Sequence, residues 1–261
     1  MDNWTGGYVS DIEYLDGWYA EQMPAHLDVA CLLRGTEPPV ASGAPFRYCE
    51  LGCGMGRSTA AVAATSPDSE VWGIDFNPAH IARGRQLSER GGLDNLHLED
   101  WTFASLAGTR GAALPRFHYI AMHGVWSWIS PENQRHIVDF IDAHLEPGGI
   151  VYVTYNALPG WNNVAPMQKM IQSLASLQHG RSDNRTKEAL RLVRLMSDAG
   201  SGALPQENLK RLEEMCEKED IAYVVHEYLN AHWRTCYHMD VARAIAEARL
   251  TFTASANIFE K

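Results

Sequence analysis

Along the first 160 positions, apolar residues cluster in two alternating ways. Short, nearly continuous apolar runs at 46–51, 70–74, 95–98, 117–122 and 150–155 read as strands buried on both faces. Between them, 58–64, 78–90 and 131–144 read as helices, the first of them rich in alanine. Two helix starts are marked chemically: Pro78 suits a first helical turn, and Ser130 ahead of Pro131 is an N-cap signal. Pro147, Gly148 and Gly149 then bar the helix at 131–144 from continuing. Alternation of this kind predicts an α/β fold, a mostly parallel twisted sheet with helices on both faces.

The ends of the chain depart from this rhythm. Pro38, Pro39, Gly43 and Pro45 separate an aromatic-rich leader from the first strand, so 1–45 is expected to form an N-terminal helical cap and 46–160 the sheet core. Beyond Gly160, 167–178, 184–198 and 205–228 look helical, and strand signals vanish for about ninety residues by periodicity. A helix at 240–249 precedes alternating Thr, Phe and Ile at 250–258. The expectation is a helical insertion at 161–249, a lid over the substrate, followed by a returning sheet strand at 250–261.

Composition narrows the class. With 261 residues, 46% of them hydrophobic, the chain can bury a substantial core. A formal charge of −10, from 32 acidic and 22 basic residues, offers phosphate backbones no general attraction, and nucleic acid is not expected as a partner. Five cysteines without paired spacing exclude a complete disulfide framework and point to a reducing cytoplasm. Residues 1–19 lack the basic head and apolar stretch of a signal peptide, and no window is apolar for long enough to span a bilayer, so no membrane partner is expected.

The strongest chemical signal is Glu50-Leu51-Gly52-Cys53-Gly54-Met55-Gly56, which leaves an apolar strand and runs into a helix. Glycines at that junction let the backbone turn tightly and let a ligand lie against it. Asp75 ends the second strand nineteen residues after Gly56, close to the ~20 expected of a carboxylate that accepts both ribose hydroxyls. Phe76 is positioned to flank an adenine ring. Asp100 and Trp101, after the third strand, offer a carboxylate for the exocyclic amine and a ring for the base face. Glu50 separates two candidate ligands. A dinucleotide would bring a pyrophosphate beside a carboxylate, whereas S-adenosylmethionine has no phosphate and carries an ammonium. The pattern favours the second.

Acceptor-side candidates follow the fourth and fifth strands. His123 and Tyr155 are the catalytic candidates; Trp126, Trp128, Asn156 and Trp161 supply acceptor contacts. His123 reads equally as a general base and as a hydrogen-bonded structural residue, in which case its backbone and that of Gly124 hold the methionine ammonium. In the leader, Tyr14 on the cofactor side and Tyr19 on the acceptor side, with Trp18, are candidates for a cover. His226, His232, Cys236 and His238 lack zinc-site spacing, and no metal is expected.

The run 48–64, the segment Trp72-Gly73-Ile74-Asp75-Phe76-Asn77-Pro78-Ala79-His80, and the stretches 122–133 and 152–161 together resemble one family. It is the class I S-adenosylmethionine-dependent methyltransferases that carry a methyltransferase regulatory domain in the C-terminal half. Gly7-Tyr8-Val9, Tyr14, Tyr19, Pro24 and the later His226-Glu227-Tyr228-Leu229 add to the likeness. The resemblance implies a Rossmann-like fold and S-adenosylmethionine as cofactor, with S-adenosylhomocysteine as product. Because the family includes enzymes similar to bacterial protein-lysine methyltransferases, it implies a protein lysine as acceptor and leaves room for a homodimer. A small-molecule nitrogen or oxygen acceptor, and a cofactor-binding regulatory module without turnover, stay open beside it.

Overall fold

A computed structural model of the chain describes residues 5–13, 17–200, 209–210, 212–214, 216 and 221–258. Tyr14, a cofactor-side candidate, lies outside the described residues. Two compact units emerge. One takes 16–126, 130–155 and 238–261; the other takes 1–15, 127–129 and 156–237.

The first unit is the α/β core. Helix α1 (Pro24–Leu32) precedes β1 (Arg47–Leu51), α2 (Arg57–Thr65), β2 (Glu70–Asp75), α3 (Pro78–Gly91), β3 (Leu96–Asp100) and a short α4 (Phe103–Leu106). Then follow β4 (Phe117–Met122), α5 (Pro131–His144) and β5 (Leu145–Val153). All five strands are parallel, in the order β3-β2-β1-β4-β5. Tyr48, Cys49 and Leu51 of β1 and Tyr119, Ile120, Ala121 and Met122 of β4 have no exposure. Such burial stabilises by about 1.5–3 kcal/mol for each large side chain. From β1 the chain winds outward to β3, then crosses back to β4. The sheet therefore reverses between β1 and β4, and open α/β sheets bind ligands outside the carboxyl ends at such a point.

Local chemistry fixes the helix borders. The Asn77 side chain accepts from the Ala79 amide at 3.0 Å, Pro78 fills the first turn of α3, and Gly92 closes it at φ 62°. Ser130 caps α5 by accepting from the Asn133 amide, and the helix occupies 131–144 as its pattern requires.

Two expectations are corrected in this unit. β5 starts at Leu145, so Pro147, Gly148 and Gly149 lie inside a strand that was expected to begin only at Ile150. The β4–β5 register shifts between Phe117 and Tyr119, and Gly148 takes φ 81°; an edge strand with an irregular ladder tolerates both the missing proline donor and the left-handed glycine. Residues 250–258 form no strand either. The Ala256 carbonyl accepts from His26 Nε2, and the amides of Asn257 and Ile258 bond locally to Ser255 Oγ and Ala256 O, so this backbone is committed to turns rather than to a ladder. Beside the free edge of β5 lies a groove of about 1080 Å³, lined by β5, 250–256 and the helix His238–Ala246.

The second unit is mainly helical. The pair β6 (Asn156–Ala157) and β7 (Thr235–Cys236) joins its ends, and α6 (Ala165–Ser176), α7 (Ser182–Asp198) and α8 (Ile221–Tyr228) lie between. Met167, Ile171, Ala189, Val193, Val224 and Val225 form its buried core, with Val9 and Ile12 of the leader packed against it. The leader is pinned by polar bonds: the Val9 amide donates to Asn230 Oδ1 and the Ser182 amide to Asp11 Oδ2, both at 2.8 Å. The leader is thus divided, with 5–13 in the helical unit and 17–45 in the core, and the helix His238–Ala246, α9, belongs to the core rather than to the insertion. Among the described residues, no helix is long and apolar enough to cross a membrane, and no cluster of three His, Cys, Asp or Glu is placed to hold a metal.

Candidate cofactor site

The turn after β1 is built by backbone bonds across the sheet. The Gly52 and Cys53 amides donate to the Ile74 carbonyl at 2.7 and 3.1 Å, and Gly56 starts α2 at φ 74°. The glycines do different work. A Cβ on Gly52 would stand 2.5 Å from Val125 Cγ2, so its bareness serves internal packing. At Gly54, φ 55°, nothing lies within 4 Å of that position, which leaves a face open to a ligand. Cys53 contributes backbone; its side chain is buried, and burial holds the thiol well above its ordinary range.

Asp75 closes the turn from β2. Its Oδ2 accepts from the Gly54 amide at 3.0 Å and its Oδ1 from the Asn77 amide at 2.8 Å, with His80 Nδ1 3.4 Å from Oδ1. Only 8% exposed, it keeps lone pairs for sugar hydroxyls while fixing the loop. In the β2–β3 register Asp75 stands level with Asp100, which is exposed; Phe76 and Trp101, next along the chain, are half-buried. The adenine-end candidates thus share one sheet end.

Glu50 is more deeply engaged than its sequence position suggests. Gln22 Nε2 donates to its Oε1 at 2.9 Å and Thr59 Oγ1 to its Oε2 at 2.5 Å. Burial, with a smaller contribution from the charge of Asp75, raises its pKa to about 7 against these two bonds. Sequence reasoning missed both partners, because neither Gln22 nor Thr59 belongs to the glycine pattern.

His123 follows β4 and lies in an aromatic stack. Its ring centroid is 3.6 Å from that of Tyr19, at 14°, and 6.1 Å from that of Tyr152; its Nδ1 is 3.0 Å from the Tyr152 hydroxyl. Burial depresses its pKa to about 4, opposed by the Glu21 carboxylate, so the ring is neutral at physiological pH. Burial, with Glu21 and Glu50, pushes the Tyr152 phenol upward. The Gly124 amide donates to Thr154 Oγ1 at 2.7 Å and is already engaged.

The acceptor-side candidates fall in separate surroundings. Tyr155 meets His238 Nδ1 at 2.9 Å beside the β5 groove, and it is Tyr152 that meets His123. Trp126 is 2% exposed, with its carbonyl accepting from Gln134 Nε2, so it packs inside the core. Within the helical unit, the Asn156 amide donates to Ser127 Oγ, and its Nδ2 to Glu227 Oε1 at 3.3 Å. Trp161 packs edge-on against Trp233 with centroids 6.1 Å apart, and Trp128 buries an Nε1–H for which no partner is found among the described residues.

Comparison with known proteins adds a second line of observation. A methyltransferase-domain model matches residues 49–151, and a predicted methyltransferase regulatory domain matches 220–261. An uncharacterised protein of Synechocystis sp. is 36% identical over 98% of this chain and 50% of its own length. One of Rickettsia prowazekii is 29% identical over 90% of this chain and 92% of its own. PKMT2 from Rickettsia typhi, solved in complex with AdoHcy, superposes with a TM-score of 0.76 at 26% identity, covering 94% of this chain and 46% of that one. The chain therefore spans about half the length of the Synechocystis and R. typhi proteins.

Proposed function

We propose, from the premise that this chain belongs to the S-adenosylmethionine-dependent methyltransferases with a methyltransferase regulatory domain, that it methylates an amine, with a protein lysine as acceptor. The observation that carries methyl transfer is the open face of Gly54 beside Asp75 at the point where the sheet reverses. These residues fit S-adenosylmethionine. Asp75 suits the ribose hydroxyls, Asp100 and Trp101 suit the adenine, and Glu50 with the turn suits the methionine end. When bound, the cofactor supplies an electrophilic methyl group on a sulfonium.

The chain's own part is positioning and exclusion of water. The stacked rings of Tyr19, His123 and Tyr152 form an aromatic wall, and aromatic faces attract a sulfonium or an ammonium. The charges acting on that wall come from the Glu21 and Glu50 carboxylates, which favour a cationic acceptor over an anionic one. A neutral His123 accepts a proton without first having to lose one. The likeness to bacterial protein-lysine methyltransferases supports lysine among amines.

Label transfer tests this. With radiolabelled S-adenosylmethionine and cell lysate, label should enter protein and be recovered as methyllysine after hydrolysis. Label confined to small molecules would overturn the lysine reading. Asp75→Ala should abolish transfer, because it removes the ribose ligand and releases the Gly54 amide together.

A further inference from the structure

The last turn of α8 carries a buried carboxyl group that no cation accompanies among the described residues. Every residue from Val224 to Asn230 is buried. Two of the polar ones are provided for: Asn230 accepts from the Val9 amide and donates to the His226 carbonyl, while His226 Nε2 meets the Ile12 carbonyl. Glu227, 8% exposed, differs. Its Oε1 receives two long bonds from neutral donors, Asn156 Nδ2 at 3.3 Å and Trp233 Nε1 at 3.4 Å. No partner of Oε2 and no cation paired with this carboxylate is found among the described residues. The negative end of the helix dipole makes the position still less hospitable to an anion. Burial accordingly raises its pKa to about 7.

Holding Asn156 and Trp233 does not require a charge. A glutamine would accept the same two bonds without the desolvation cost of an ionised carboxyl group. Two indole rings border the acid: Trp233, which bonds to it, and Trp161, set against Trp233 at 66°; both are half-buried and so reachable. A desolvated carboxylate beside angled aromatic faces is the chemistry that receives an ammonium group, by charge-assisted hydrogen bonding and cation–π attraction.

We propose that Glu227, Asn156, Trp161 and Trp233 form a receiving site, within the helical unit, for a primary ammonium, the side chain of a lysine in a protein partner. Glu227 takes the ammonium on its second oxygen, the indoles flank the aliphatic stem, and Asn156 orients the carboxylate.

The test uses the full chain and a neutral peptide with one central lysine, titrated at physiological salt and followed by NMR of the lysine ε-methylene protons. Wild type should bind the peptide saturably and fail to bind the same peptide with an acetylated lysine. Glu227→Gln should weaken binding about tenfold or more, the scale of one charged hydrogen bond. Glu188→Gln, which removes an equal charge from the exposed Arg191 pair, should not. Equal binding by Glu227→Gln, equal binding of the acetylated peptide, or no binding by wild type would each overturn the site. The acetylated arm needs no variant and decides the matter even if Glu227→Gln does not fold. S-adenosylhomocysteine titration and label transfer run in parallel: if these fail while Glu227-dependent peptide binding persists, the methyltransferase reading has failed rather than the site.

Discussion

Gln22 Nε2 and Glu50 Oε1 meet at 2.9 Å, both buried and twenty-eight positions apart in the chain. Thr59 holds the other oxygen of Glu50, so one carboxylate joins β1, the start of α2 and the 3-10 turn Ala20–Gln22. Tyr19, at the head of that turn, bonds through its amide to Ser58 Oγ and stacks on His123. The stretch that carries Tyr19 and the glycine turn therefore share an anchor.

Gln22→Leu keeps much of the side chain's bulk and removes the bond. The unpaired Glu50 oxygen should cost about 1–3 kcal/mol, read as a lower denaturant midpoint at constant slope. Affinity for S-adenosylhomocysteine should fall with it, since the turn carrying Tyr19 is loosened. An unchanged midpoint would mean that the bond does not hold the turn in solution.

Glu50 also sets a pH dependence. Its folded pKa is raised from 4.5 to about 7, so the neutral form is favoured in the folded state. Its contribution to stability is fully present below 4.5 and is lost as pH rises through about 7. Glu50→Gln should thus gain on wild type between pH 5 and pH 8, by an amount on the order of a few kcal/mol at most. Paired urea titrations at the two pH values measure it. Affinity for the cationic cofactor should run the other way, rising with pH in wild type and staying flat in the variant.

Gly52 and Gly54 separate packing from binding. Gly52→Ala drives a methyl group into Val125 and should lower stability by about 1–3 kcal/mol. Gly54→Ala meets open space and costs only the strain of its left-handed φ, about 1 kcal/mol, yet it fills the ligand face. Thermal unfolding should single out the first variant and cofactor calorimetry the second. The same rank order in both assays would refute the division.

These variants also mark what could be read from the chain alone. Asn77-Pro78 and Ser130-Pro131 announce helix starts through bonds made within three residues, so α3 and α5 were legible. Asp75 and Asp100 end consecutive parallel strands, and their shared level follows from that alternation. Gln22 was not legible, because its partner lies across the fold and nothing local distinguishes a buried glutamine. Pro147 and two glycines signal a turn in any local reading, and only the lenient edge position of β5 lets a strand absorb them. Residues 250–258 alternate as a strand should, but their amides and carbonyls close on Ser255, Ala256 and His26 instead.

Tyr152 and Tyr155 offer the sharpest test, since sequence position favoured Tyr155 and geometry favours Tyr152. An odd spacing of three residues at a strand end sends side chains to different surroundings, and here the Tyr152 hydroxyl meets His123 while that of Tyr155 meets His238. The depressed pKa of His123, about 4, keeps the ring neutral, so the hydrogen bond at Nδ1 decides which tautomer it presents. Tyr152→Phe retains the ring stack and removes that control. Turnover should fall about a hundredfold, the lower scale of a positioned acid–base group, with little change in KM for the cofactor. Tyr155→Phe should lose distinctly less. His123 contributes stability that is fully present above 6.5 and is lost as pH falls towards 4, because the unfolded ring binds its proton first. His123→Phe should therefore remove part of the acid sensitivity in urea titrations at pH 5 while leaving pH 8 stability nearly unaltered. If Tyr155→Phe proves the more damaging variant, the proton route runs by the β5 groove and His238, and the role given to Tyr152 is wrong.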